Sequence, residues 1–115
     1  MIVNRNNSQK YIWGGVCDGW ILSQDHGLMV IEERMPAGSA EQKHFHKFAR
    51  QFFYVTDGEL TIEVGEQRYA VKAGEGITIE PTILHQARND GDRDVRFIVI
   101  SSPTSRGDRF EISDT

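Results

Sequence analysis

Residues 38–58 read GSAEQKHFHKFARQFFYVTDG. The second half of this stretch alternates. Counting in twos from Gln51, Phe53 and Val55 fall on one face of an extended chain, and Phe52 and Tyr54 on the other. Asp57-Gly58 follows, a pair suited to the positive φ of a tight hairpin turn. The first half carries His44 and His46, two residues apart and so on one face of a strand. Two adjacent imidazoles repel when protonated. A shared metal ion is one reason to place them together, and an exposed loop with two surface histidines is the other. A short helix over residues 40–51, with His44, Phe48 and Gln51 on one side, is the competing local reading, because that segment lacks Gly and Pro.

The same two-residue period recurs in both directions. Runs at 29–35, 51–56, 60–64, 68–71, 77–80 and 95–101 are short and apolar on alternate positions. Turn signals separate them at Asp57-Gly58, Gly65-Glu66, Ala73-Gly74-Glu75-Gly76 and Asn89-Asp90-Gly91-Asp92. This spacing predicts an all-β sandwich or barrel. Residues 10–13 form one further candidate strand after a polar lead. An edge strand there offers a route to a homodimer by adding to a partner's sheet. The tail, residues 102–115, is expected to cross the surface, where Arg106, Asp108, Arg109 and Glu111 either close the barrel mouth or lie on a partner.

Composition narrows the function. The 115 residues are room for one domain, 1–115, with 38% apolar residues and a formal charge of −4. An acidic chain is a poor match for a phosphate backbone, so no nucleic acid partner is expected. No run approaches the ~18 apolar residues of a membrane span, and no leader-like apolar segment is present, so no membrane partner and a cytoplasmic location are expected. Cys17 alone forms no internal disulfide and reads as a small buried hydrophobe or ordinary thiol. His26, in a Gln-Asp-His-Gly turn, reads as exposed.

Two motifs carry a resemblance. Gly38-x5-His44-x-His46-x4-Gln51-x6-Gly58 fits the spacing of the first cupin motif, G-x5-H-x-H-x3,4-E-x6-G. Gly74-x5-Glu80-x-Thr82-x2-His85-x3-Asn89 fits that of the second, G-x5-P-x-G-x2-H-x3-N. In the second, Pro81 lies one place late and Thr82 stands at the second glycine. The chain therefore resembles the cupins, of the small RmlC-like kind. The resemblance implies a jelly-roll barrel of two antiparallel sheets, with one divalent first-row metal (Zn, Ni, Fe or Mn) on His44, His46, Gln51 and His85.

Gln51 departs from the family's glutamate. A neutral amide leaves the full +2 of a divalent ion at the site, and the imidazoles favour first-row metals over Mg or Ca. Three readings stay open: Gln51 as a weak oxygen ligand, Gln51 behind a three-histidine site, or a pocket that has lost its metal. Gln51 cannot serve as a general base near neutral pH. Alternation places Phe53, Val55, Ala87 and Phe97 along the pocket. If Met29 and Ile31 point inward, so does Glu33, as an acid/base or an ion-pair partner.

The expected function is a metal-binding cupin acting on a small, anionic molecule. The metal would be a Lewis acid or an Fe(II) oxygenase centre. A non-catalytic small-molecule or sugar-binding cupin is the first alternative. A metal-free sugar isomerase or epimerase is the second. It needs a His–Asp pair as base and a pocket tyrosine as acid; alternation turns Tyr54 away, and no aspartate falls on the ligand face.

Overall fold

The computed structural model describes residues 1–112. In chain order its strands are β1 (Gln9–Trp13), β2 (Cys17–Gln24), β3 (Met29–Met35), β4 (His44–Phe45), β5 (Arg50–Asp57), β6 (Glu59–Val64), β7 (Gln67–Lys72), β8 (Gly76–Ile79), β9 (His85–Arg88), β10 (Val95–Ser102) and β11 (Phe110–Glu111). Every pairing is antiparallel. One sheet has six strands in the order β1-β2-β3-β10-β5-β8, and the other has five in the order β11-β4-β9-β6-β7. Non-neighbours in sequence thus lie side by side, the crossed connectivity of a jelly roll.

Alternation decides which residues enter the core. From Arg50 to Thr56 of β5 the burial alternates, so Gln51, Phe53 and Val55 are buried while Phe52 and Tyr54 are exposed. Along β10, Val95, Phe97, Val99 and Ser101 are buried. The two strands pair with Phe97 opposite Val55 and Val99 opposite Phe53. Leu60, Ile62 and Ala87 close the core from the facing sheet. Gly58 turns β5 into β6 at φ +83°, and a Cβ there would meet the Asp94 carbonyl oxygen at 2.6 Å, so only glycine fits.

No helix forms over residues 40–51. The backbone there is taken up by cross-strand bonds: Ala40 bridges Arg88, Glu41 donates to the Ala87 carbonyl at 3.1 Å, and His44 pairs with His85. Four strands lie outside the six central runs and the N-terminal candidate. β2 is masked by Asp18, Gly19 and a register shift between Ile21 and Ser23. β4, β9 and β11 have four residues or fewer.

The tail crosses the barrel mouth. Asp108 caps three backbone amides in the loop after His46: Lys47 at 2.9 Å, Phe48 at 3.0 Å and Ala49 at 3.0 Å. β11 then pairs with β4, and Phe110 stacks on Phe45 with ring centres 5.2 Å apart. Residues 113–115 of the expected tail lie outside the described residues. β1 holds the outer edge of the six-stranded sheet. Cys17 is buried and unpaired, and His26 is exposed. No helix of the described residues is long and apolar enough to cross a membrane.

Candidate metal centre

The two motifs are tied together by backbone bonds before any side chain is considered. Gly38 donates to the Asn89 carbonyl and Asn89 to the Ser39 carbonyl, each at 2.9 Å, and Thr82 donates to the His46 carbonyl at 2.6 Å. Asn89 is itself buried, its amide donating to the Met35 and Arg93 carbonyls. It is therefore a fold residue rather than a ligand. These ties bring β4 beside β9 and set His44 against His85.

His44, His46 and His85 are buried, and one nitrogen from each lies within 4.8 Å of the others. Each Nδ1 is held by a backbone carbonyl: His44 by Gln42 at 2.9 Å, His46 by Asp108 at 2.7 Å and His85 by Ile83 at 2.9 Å. A carbonyl only accepts, so every Nδ1 carries the proton and every Nε2 presents a lone pair. Nε2 of His46 and of His85 are buried without a hydrogen-bond partner. So is the Gln51 amide oxygen, whose own NH2 donates to Ser101 Oγ at 3.0 Å. Burial pushes all three histidines towards the neutral form, His44 down to about 3 and His85 to about 4. Buried acceptors left without donors are costly. A cation would satisfy all three lone pairs at once, so the residues present fit a metal, with carbonyl-oriented imidazoles as the usual support.

A cavity of about 480 Å³ opens over this cluster. His44, His46, Gln51 and Phe53 line its floor, together with Val99 from β10. Val55, Ala87 and Phe97 share the same interior but lie in the packed core, not on the cavity wall. The reason is distance along the strand: Val55 is four residues, about 13 Å, beyond Gln51 towards the closed end of the barrel. Glu33 does line the cavity, since Met29, Ile31 and Met35 are all buried and Glu33 shares their parity. The Tyr11 hydroxyl donates to its Oε2 at 2.6 Å. Burial pushes the Glu33 carboxyl up to about 8.

Three wall residues escaped the motif reading. Tyr11 comes from the edge strand, opposite Gly19. A lone glycine in a strand is the one local hint that something crosses above it. Glu41 is buried, accepts from the Ala87 amide at 2.9 Å, and lies 3.8 Å from His44 Nδ1. Arg109 comes from the tail, its Nη1 3.3 Å from His44 Nε2 and 3.6 Å from Glu41. No spacing links residue 109 to the motifs.

A family model described as "Cupin domain" matches residues 31–101, which include every residue of the cluster. The chain belongs to the cupin family. Two curated relatives are similar over 77 residues. Polyketide synthase CurC of Streptomyces cyaneus is 29% identical, over 67% of this chain and 49% of its own length. Protein SchB of Streptomyces halstedii is 27% identical, over 67% and 55%. The chain thus spans about half the length of these relatives. Among solved structures, a predicted oxalate decarboxylase from Thermotoga maritima superposes with a TM-score of 0.81 at 18% identity, over 90% of this cupin and all (100%) of that chain. Pac13 of Streptomyces, a nucleoside dehydratase, gives 0.80 at 16% identity, over 97% and 90%. At such identities the likeness shows the fold and no more.

Proposed function

We propose that this cupin binds one divalent first-row metal ion on His44, His46 and His85, with Gln51 as a weak oxygen ligand, and acts on a small anionic molecule in the cavity. The observation that carries the reading is the set of buried lone pairs: Nε2 of His46 and His85 and the Gln51 oxygen face inward with no donor to meet them. When bound, such an ion supplies Lewis acidity towards a carbonyl or carboxylate oxygen. The neutral ligand set leaves the ion's charge uncompensated, which favours an anion, and Arg106 and Arg109 stand on the same wall. Glu33 retains a proton at neutral pH and Tyr11 orients it, so the cavity holds an acid/base group opposite the histidines. Phe53 and Val99 keep that space apolar, which strengthens attraction between opposite charges.

The test is metal content by mass spectrometry on protein purified without a histidine tag, beside His44→Ala. The expected result is close to one first-row ion per chain, lost in the variant. Failure to take up Zn, Ni, Fe or Mn on reloading would end this reading. A metal-free isomerase would then lead, because Tyr11, and not Tyr54, supplies the pocket phenol it needs. The proposed homodimer forms through the β1 edge; gel filtration at high concentration giving a monomer would remove it.

A further inference from the structure

Arg109 stands where a cation would be least welcome to it. Its Nη1 donates towards His44 Nε2 at 3.3 Å, the lone pair that completes the three-histidine cluster. A metal ion on that lone pair would lie within contact range of the guanidinium, and two like charges at this separation repel. Both cannot hold His44 at once.

The backbone that carries Arg109 is not free to leave. On one side Asp108 accepts three amides, and its carbonyl accepts from His46 Nδ1. On the other, β11 pairs with β4, and Ile112 donates to the Lys43 carbonyl at 2.9 Å. Only the side chain can yield. It is 39% exposed, lines the cavity, and meets Glu111 at 3.1 Å and Glu41 at 3.6 Å. A rotamer change would move the guanidinium off His44, and on the cavity wall its planar fork would suit a carboxylate.

We propose that Arg109 guards the histidine cluster: it occupies the His44 lone pair until a cation displaces it, and once displaced it receives the carboxylate of a small organic anion. This rests on the metal reading above. It implies positive coupling between cation and anion, because the cation must free the group that the anion uses.

The test titrates Co2+ into the metal-free protein by calorimetry, with the cobalt absorption band as a second readout. It is run with and without acetate, for the native chain, Arg109→Gln and Arg109→Lys. Arg109→Gln should bind Co2+ about tenfold more tightly without acetate, as expected for removing one charge-assisted hydrogen bond. Acetate should tighten Co2+ binding in the native chain and do so less in Arg109→Gln. Arg109→Lys, which keeps the charge and loses the fork, should fall between them. Equal Co2+ affinity in all three proteins overturns the guard. An acetate effect equal in the native chain and Arg109→Gln overturns the anion role. Absence of Co2+ binding in every protein overturns the metal reading and this inference with it.

Discussion

The Tyr11 hydroxyl reaches Glu33 Oε2 at 2.6 Å by passing over β2, and Gly19 is what lets it pass. Tyr11 pairs with Gly19, and Gly19 pairs with Glu33, so the three stand in one row across the sheet. A Cβ on Gly19 would lie 2.1 Å from Tyr11 Cζ. The ring could not lie there, and Glu33 would lose its donor. A phenol and a carboxyl are thereby set on the cavity wall from an edge strand that the motifs do not include.

Glu33 makes stability depend on pH. Burial, the larger effect, raises its pKa to about 8, and the Tyr11 hydrogen bond only partly opposes this. Below its ordinary value of 4.5 both folded and unfolded chains carry the proton and nothing is lost. As pH rises towards 8 the unfolded chain releases the proton first, so Glu33's contribution becomes destabilising through that window and levels off above it. The depressed histidines act in the opposite sense at the acid end, destabilising the fold as pH falls below 6.5. The comparison is therefore between variants. Urea midpoints of Glu33→Gln should gain on those of the native chain between about pH 5 and 8. A constant difference across that range would refute a proton held in the cavity.

Gln51 is poised to become a charged ligand. Its oxygen is already buried and unpaired, and Ser101 Oγ is able to donate as well as accept. Gln51→Glu should tighten binding of Zn2+ by at least about tenfold, since a carboxylate adds charge where an amide adds none. It should also weaken any small anion, by cancelling part of the ion's charge. Calorimetry of both ligands decides. Unchanged Zn2+ affinity would place Gln51 outside the ion's reach.

Thr82 carries strain. It has φ +74°, a left-handed conformation that a β-branched residue rarely adopts, at the position where the second motif has glycine. Its amide nevertheless donates to the His46 carbonyl, so the conformation is held by the site. Thr82→Gly should stabilise the fold by about 1 kcal/mol, the relief of a strained φ less glycine's extra chain entropy. Denaturant unfolding measures this directly, and a net loss of stability would show that the threonine side chain contributes more than its backbone costs.

Asp108 should prove a costly loop residue to lose. Burial alone would raise its pKa, but three amide donors together hold it below the ordinary range. Asp108→Ala leaves those amides without their acceptor and frees the loop behind His46. The expected loss is about 2–3 kcal/mol, with weaker cation binding alongside. Because its pKa is depressed, the Asp108 contribution is present above the ordinary carboxylate pKa and disappears as pH falls through the lowered one. Thermal unfolding of native and variant chains should therefore converge at low pH; a gap that persisted there would point to packing instead of charge.

Local sequence carried the strands of the barrel for one physical reason. A strand repeats every two residues, so which residues of one run share a face is readable without knowing what pairs with what; His44, His46, Gln51 and His85 stand out instead by their match to the two cupin motifs. Strand identity at 29–35 and 95–101 followed from the same period, and so did the outward turn of Phe52 and Tyr54. Parity does not say how far along the barrel a residue sits. Val55, Ala87 and Phe97 have the right face and stand at its closed end, which only the pairing of β5 with β10 and of β9 with β6 reveals. Nor does it span the chain's ends. Tyr11, Glu41 and Arg109 reach the cavity through an edge strand, an irregular loop and a clamped tail, none of which announces them by a local period. The two-residue repeat of the backbone decided which side chains face inward; tertiary pairing decided which of those meet open space, and which distant charges meet them there.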